Sequence, residues 1–264
     1  MATLIAGGDS FVYGSELKDC WSYNQKNNTA NEQASLNTYP ALIAKELGWD
    51  YICAAKPAAS NNAIRRLTMN ACENNAGDIA LVIVTWSFPS RYEFKFAHDW
   101  EQLSVWSIQD DIEEKIKKDF HNANPIVFQA HLDNSKREQE LGVTEFAKLF
   151  YKQVGHTEYW EVYNSLSEMV LLQQYLELKN IPYLFTGVDG CLITNSLKYN
   201  DQSIITLRNQ LNLKNWMWFS ENQGFYTWAK DMNFPFGTTH PLEEAHVEAA
   251  HIIYEHLRYI GRLS

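Results

Sequence analysis

Residues 3–14, TLIAGGDSFVYG, lead a short apolar run into two glycines, an aspartate and a serine, with a further glycine at Gly14. The apolar run is typical of a short buried strand, and the glycine pair is typical of the turn that ends it. A nucleophilic serine needs such a strand-end position, a base within reach, and donors for an oxyanion. Ser10 is therefore a candidate nucleophile, with its own N–H as an oxyanion donor. The structural alternative is a helix N-cap, which Ser and Asp also favour.

Beyond this stretch, apolar runs alternate with segments of helical spacing. Residues 78–86, DIALVIVTW, form a continuous apolar, β-branched run that predicts a buried strand. Other strands are predicted at 49–55 and 181–189, and helices at 38–47, 63–74, 160–179, about 201–211 and about 242–260. Such alternation is typical of parallel strands covered by helices. We therefore predict an α/β fold, a three-layer α/β/α sandwich with a mostly parallel central sheet and its site at the carboxyl ends of the strands.

Residues 94–156 interrupt this alternation with polar and charged sequence. Helices are expected there around 108–119 and 142–153, so we interpret the segment as a helical insertion or lid. No linker-like segment divides the chain, which favours one domain over 1–264. Residues 24–37 and the aromatic stretch 215–225 are expected to be loops.

The net charge and the cysteine content argue against some classes of function and favour one cellular compartment. The net charge of −10, from 22 basic and 32 acidic residues, argues against nonspecific binding to nucleic acid or to an anionic membrane surface. Four cysteines without a CxxC pair suit reduced thiols and a cytoplasmic protein. The amino end lacks a signal-peptide pattern, and no apolar run approaches bilayer length. The eight histidines show no metal-binding spacing, so no metal is expected.

Near the carboxyl end, residues 237–246 read GTTHPLEEAH, with His240 just before the last predicted helix. Together with GDSFVYG at residues 8–14, this stretch resembles the last and first of the four sequence blocks of the SGNH (GDSL-type) hydrolase family. The resemblance implies that the sandwich is of the SGNH, flavodoxin-like kind. It further implies ester hydrolysis without a cofactor, with Ser10 as nucleophile and His240 as general base.

The two middle blocks of that family are matched more loosely. CAAKPAASNN at 53–62 resembles the second block, with Ala58 where the family has a glycine that presents a backbone N–H. IVTWSFPSR at 83–91 falls where the third block belongs, but Ser87 replaces the asparagine that donates to the oxyanion. Losing one such donor typically costs about 10²–10³ in rate. The replacement donor is expected to be Asn61, with Asn62 as the fallback, or Ser87.

The family often has an aspartate two or three residues before the histidine, where this chain has Gly237 and Thr238. A Ser–His dyad or incomplete triad is therefore expected, with the imidazole oriented by a backbone carbonyl or by a distant acid such as Asp231. A dyad can still work, because the acid mainly orients the imidazole and stabilises its charged form. The missing residues also leave open a degraded binding or scaffold protein. An acyltransferase is the third alternative.

Four further side chains have both a functional and a structural interpretation. Asp9, Trp86, Arg91 and Glu93 are possible substrate contacts. The structural alternatives are bonding of the serine turn for Asp9, core packing for Trp86, and an ion pair bracing the turn for Arg91 and Glu93. The expected partner is a small-molecule ester, with acylated carbohydrates included, and neither nucleic acid nor membrane. The sequence leaves the oligomeric state open.

Overall fold

The computed structural model describes residues 2–24, 29–75, 77–108, 112–119 and 125–263. The strands found there are β1 Thr3–Gly7, β2 Trp21–Asn24, β3 Thr29–Glu32, β4 Asp50–Cys53, β5 Ile79–Trp86, β6 Tyr92–Lys95, β7 Trp100–Leu103 and β8 Tyr183–Gly187. The α-helices are α1 Ser10–Tyr13, α2 Tyr39–Leu47, α3 Asn61–Asn74, α4 Ile112–Asp119, α5 Pro125–Glu140, α6 Val143–Phe150, α7 Glu158–Leu178, α8 Cys191–Ser196, α9 Gln202–Gln210, α10 Phe225–Asp231 and α11 Glu243–Tyr259. A π-helical turn spans Tyr151–Gly155, and a 3₁₀ turn spans Leu213–Asn215.

Four parallel strands form the central sheet in the order β4-β1-β5-β8. Strand β1 is central and pairs with β4 on one side and β5 on the other. Helices α2 and α11 pack together over one face, and α3 and α7 pack together over the other. Parallel strands require crossover connections, and the crossover helices cover both faces. The predicted three-layer α/β/α sandwich is confirmed.

Alternation along the central strands divides the core into two layers. On β5, Leu81 and Ile83 face the α2–α11 layer, while Val82 and Val84 face the α3–α7 layer. All four side chains are at most 2% exposed. Successive side chains of a strand point to opposite faces, so a strand buried on both faces must be apolar at every position. That requirement explains the continuous apolar run of this segment.

Some elements differ from the sequence prediction. The predicted loop 24–37 contains strand β3, which pairs antiparallel with β2 just before it, and residues 25–28 between the two strands lie outside the described residues. WSYN alternates aromatic and polar residues over only four positions, and TANE has a single apolar residue, so both patterns are too short to predict a strand. Helix α10 begins within the predicted aromatic loop, at Phe225.

Residues 92–155 form a hairpin, β6–β7, followed by helices α4, α5 and α6 and the π-helical turn. This insertion has its own apolar cluster, which contains Tyr92, Leu103, Val143, Ala147 and Tyr151. The Tyr151 hydroxyl donates to the Ser90 carbonyl at 2.6 Å and so joins the insertion to the loop after β5. The predicted helices correspond to α4 and α6, whereas the hairpin and α5 were not predicted.

No helix within the described ranges is long and apolar enough to cross a membrane.

Candidate active site

Ser10 lies at the start of a short helix directly after strand β1. The Asp9 side chain caps this helix, because its Oδ1 accepts the Phe11 N–H at 3.1 Å. Gly8 must be a glycine, since a Cβ there would lie 2.4 Å from a methyl group of Val12. The N-cap is therefore Asp9 and not Ser10. Because the Ser10 hydroxyl is not used for capping, it is free to act at the carboxyl end of strand β1.

His240 lies on a tight turn that precedes α11. The Gly237 N–H donates to the His240 carbonyl at 2.9 Å and closes a loop of two threonines. This turn brings Nε2 of His240 to 2.7 Å from Oγ of Ser10, although the residues are 230 apart in the chain. The Phe11 ring packs against the imidazole with a centroid distance of 4.7 Å. The structure therefore joins the hydroxyl and the imidazole that the sequence singled out.

A carboxylate that the sequence analysis missed faces the other side of this imidazole. Oε1 of Glu16 lies 3.3 Å from Nδ1 of His240. The same carboxylate accepts the N–H of Thr239 at 3.2 Å and the N–H of His240 at 3.3 Å. The Thr239 hydroxyl lies 3.1 Å from Oε1 of Glu16 and 2.9 Å from Nδ1. By contrast, Asp231 accepts the side-chain amide of Gln223 and does not bond to His240.

The surroundings keep the Glu16 carboxyl ionised. Burial raises its pKa, but the hydrogen bond and charge of His240 and the N–H groups of Thr239 and His240 outweigh burial, so the pKa lies below its usual value. Nothing local in the sequence marks this residue, because it lies 224 positions before the histidine. The sequence offers only an indirect sign of such a residue: no acid directly precedes His240, so a carboxylate that orients the imidazole has to come from elsewhere in the chain.

Ala58 adopts the left-handed backbone conformation, with φ of +61°, that its matching family glycine would favour. Its loop lies beside the serine turn, because the Lys56 N–H donates to the Gly8 carbonyl at 3.3 Å. Among the described residues, no hydrogen-bond partner is found for the N–H of Ala58 or of Ser10. Both N–H groups are therefore available to a ligand.

The two asparagines expected to donate to an oxyanion are engaged elsewhere. Asn61 accepts the Ser87 N–H at 2.9 Å and donates to the Ser87 carbonyl at 3.3 Å and to Ser165 at 3.0 Å. Asn62 donates to the Glu93 carbonyl at 2.8 Å. Both amides hold neighbouring loops together, which differs from the oxyanion role expected for them.

Ser87 belongs to a buried polar network around Asp9. Its hydroxyl donates to Oδ2 of Asp9 at 2.6 Å. Nη1 of Arg91 donates to the same oxygen at 2.8 Å and to the Ser87 hydroxyl at 2.9 Å. Asp9 is fully buried, whereas 20% of the Arg91 side chain is exposed. Arg91 thus compensates a buried charge while part of its side chain remains exposed.

Trp86 and Glu93 lie in the packed interior. Trp86 is 1% exposed and packs its ring edge-on against Phe185. Glu93 is 4% exposed and accepts two hydrogen bonds from Arg66, at 2.8 and 2.6 Å. Arg91 and Glu93 therefore do form ion pairs, but with other partners and not with each other.

Within the part of the chain that the structure describes, no group of three His, Cys, Asp or Glu side chains is arranged to hold a metal ion. The four cysteines are free thiols. The groups that meet at the site are the hydroxyl of Ser10, the imidazole of His240 and the carboxylate of Glu16.

The chain is similar to several solved structures. One is the psychrotrophic esterase EstA from Pseudoalteromonas sp., 10% identical with a TM-score of 0.48, where the match covers 98% of each chain. A second is the acetyl xylan esterase Est2A from Butyrivibrio proteoclasticus, 13% identical with a TM-score of 0.48, covering all of this chain and 65% of that one. A third is a carbohydrate esterase described as having divergent catalytic and non-catalytic binding functions, 11% identical with a TM-score of 0.49, covering 98% of this chain and 65% of that one.

No protein-family model and no curated protein matches the chain. Structural likeness at these identities and TM-scores assigns no activity, so the activity of this chain has to be argued from its own residues.

Proposed function

We propose that the protein is a serine esterase of the SGNH type that hydrolyses a carboxylic ester through Ser10 and His240. The observation that carries this proposal is the 2.7 Å contact between Oγ of Ser10 and Nε2 of His240. A serine hydroxyl becomes a useful nucleophile when a base within hydrogen-bond reach removes its proton. The two sequence blocks that resemble the ends of SGNH hydrolases supply this pair.

In the first half of the reaction, Oγ of Ser10 attacks the ester carbonyl carbon while its proton passes to Nε2 of His240. The oxyanion of the tetrahedral intermediate accepts hydrogen bonds from the N–H groups of Ser10 and Ala58. The C–O bond to the alcohol then breaks, and the imidazolium protonates the departing oxygen. In the second half, a water loses a proton to Nε2 and attacks the acyl-serine; the bond between the acyl carbon and Oγ then breaks, and the imidazolium returns the proton to Oγ, which releases the acid and restores Ser10 and His240.

Arg91 is the proposed polar contact to the substrate. Its Nη1 donates to Asp9 and Ser87, the guanidinium has further N–H donors, and 20% of the side chain is exposed. This geometry supports an ester of a small polar molecule, acylated carbohydrates included. Asp9, Ser87, Asn61 and Asn62 act as scaffold in this proposal, because their polar groups already have partners.

One observation favours a binding or scaffold protein as the second candidate. Ser10 is only 7% exposed, which limits access to its hydroxyl. The His240 side chain retains 15% exposure, which supports entry of a small ester from the imidazole side. An acyltransferase would use the same groups, with an alcohol or sugar hydroxyl in place of water.

The proposal is tested by labelling the folded protein with a fluorophosphonate and by assaying hydrolysis of p-nitrophenyl acetate. We expect the wild type to be labelled at Ser10, and Ser10→Ala to lose the label and at least about 10³-fold in kcat. Ser15→Ala, in the same loop, is the matched control and should keep both the labelling at Ser10 and the wild-type kcat. A folded wild type that neither reacts with the probe nor hydrolyses aryl esters would favour the scaffold alternative. Ester products formed with added alcohols or sugars would indicate acyl transfer.

A further inference from the structure

We propose that Glu16, a residue of the loop that follows the nucleophile, is the acid that positions His240, so that the site is a triad and not a dyad. This inference rests on the proposed function. It assigns the role of the missing aspartate to a residue at the other end of the chain.

The carboxylate of Glu16 contacts both the imidazole and the turn that carries it. Its Oε1 lies 3.3 Å from Nδ1 of His240, and it accepts both N–H groups of the segment Thr239–His240. The Glu16 side chain is 22% exposed and the His240 side chain 15%, so the pair is largely shielded from water. Shielding strengthens the attraction between a carboxylate and an imidazolium.

Hydrogen-bond directions around Nδ1 determine which nitrogen carries the proton. An ionised carboxylate only accepts, so the Thr239 hydroxyl must donate to Oε1 of Glu16, at 3.1 Å. The Thr239 oxygen is then free to accept from Nδ1–H at 2.9 Å. The imidazole proton therefore lies on Nδ1. It faces the Glu16 carboxylate and the Thr239 oxygen, which in turn donates its own proton to Glu16. Nε2 is left unprotonated, facing the Ser10 hydroxyl, which is the form that a general base requires.

Two backbone features fit the chain to this carboxylate. Glu16 has a φ of +73°, a left-handed conformation that side-chain-bearing residues rarely adopt and that costs free energy. Gly237 leaves room for the carboxylate, because a Cβ there would lie 2.1 Å from Oε2 of Glu16. Unfavourable backbone conformations persist where the surrounding structure requires them, and they concentrate at functional sites.

A merely structural role for Glu16 would be to tie the loop after α1 to the His240 turn. Glu243 offers a matched control, because its Oε1 accepts the Lys18 N–H at 3.0 Å and joins the same two regions. Among its described contacts, Glu243 does not touch the imidazole. If tying the loops together were all that mattered, Glu16→Gln and Glu243→Gln would have similar effects.

The test compares p-nitrophenyl acetate kinetics of the full-length variants across pH. We expect Glu16→Gln to lower kcat about 10²–10⁴-fold with little change in KM, because the imidazole loses its orienting charge and its imidazolium loses stabilisation. The acid limb of kcat/KM should move to lower pH by about one unit. Glu16→Asp should recover part of the loss, and Glu243→Gln should retain wild-type kcat and pH profile.

Two other titratable groups lie near this pair. His131 of α5 lies within electrostatic range of Glu16; burial lowers its pKa although the carboxylate opposes this. His246 of α11 lies within range of His240, and burial with the charge of His240 lowers its pKa to about 3. Repeating the profile in His131→Asn shows whether His131 contributes to the acid limb.

Thr239 provides a second test that is independent of the folding of the Glu16 variants. This side chain is exposed, so Thr239→Val should fold, and it should lower kcat roughly 10-fold, whereas Thr239→Ser should retain activity. Wild-type kcat and pH profile in Glu16→Gln, or an equal loss in Glu243→Gln, would overturn the inference. Labelling of Ser10 that persists in such a case would show that the esterase proposal survives and that only the role of Glu16 fails.

Discussion

Acid should destabilise this protein through His246, which lies inside the fold and takes no part in the proposed chemistry. The side chain is 1% exposed and its Nδ1 accepts the Tyr39 N–H at 3.2 Å. Its ring stacks on Tyr39 and packs against Phe225, with centroid distances of 5.7 and 4.7 Å. Burial, with the charge of His240, lowers the pKa of His246 from 6.5 to about 3. The imidazole is therefore neutral in the folded state.

The sign of the effect follows from proton uptake. Between pH 6.5 and about 3 the unfolded chain binds a proton at His246 that the folded chain does not. The free energy of unfolding therefore falls as pH drops through that window, by about 1.4 kcal/mol per pH unit once below the upper limit. From pH 7 to pH 5 this one group should cost about 2 kcal/mol of stability.

The measurement is urea unfolding followed by tryptophan fluorescence at pH 7, 6 and 5. His246→Asn keeps an acceptor for the Tyr39 N–H and removes the titration, so its stability should fall about 2 kcal/mol less than that of the wild type over this range. His251→Asn, at an exposed position of the same helix, is the control and should follow the wild type. Equal pH dependence in wild type and His246→Asn would refute the reasoning.

Three further predictions concern the site and the core. Gly237→Ala should push the Glu16 carboxylate away, because the new Cβ would lie 2.1 Å from its Oε2. Since that atom ends a flexible side chain, the melting temperature should hardly change. The kcat should fall at least about 10-fold, and the double variant Gly237→Ala/Glu16→Gln should lose no more than Glu16→Gln alone. Asp9→Ala should cost about 2–3 kcal/mol in urea unfolding, because it removes the cap on the Phe11 N–H and the acceptor of the Ser87 and Arg91 hydrogen bonds, while the partly exposed Arg91 can still be solvated. Phe185→Ala, in the centre of the α3–α7 layer, should cost about 3–5 kcal/mol by the same assay and leave the labelling of Ser10 intact.

The sequence predicted the central sheet well because helices cover both faces of the sheet, so its strands are recognisable as short apolar runs. Strand β5 is apolar from Ile79 to Val84, since both of its faces are covered by helices, and the buried hydroxyl of Thr85 that follows bonds to the Tyr39 hydroxyl. The hairpin β6–β7 was missed for the opposite reason. Tyr92 and Phe94 alternate with charged residues and pack in the apolar cluster of this segment, but the alternation covers only four residues. On the partner strand it is broken by the buried Glu101, which lies opposite Phe94.

The side-chain oxyanion donor expected from the sequence, Asn61, shows what spacing along the chain does not predict. Asn61 was expected at the oxyanion because it follows a small-residue turn. In the structure it begins α3, and its amide pairs with the backbone of Ser87 across the sheet. A side chain's hydrogen-bond partner depends on which loop packs beside it, and spacing along the chain does not determine that.

The sequence by itself determined the order of the four central strands and of the main helices that cover them, the serine turn after β1 and the histidine before α11, because hydrophobic periodicity, glycine turns and capping act over a few residues. Only the tertiary structure decided that Glu16 faces His240 and that Asp9 is neutralised by Arg91. These contacts join residues 224 and 82 positions apart. They arise when the packing of helices on both faces of the sheet brings the ends of β1, β5 and the last helix to one edge. No local pattern encodes a contact between such distant residues, since its geometry depends on the fold as a whole.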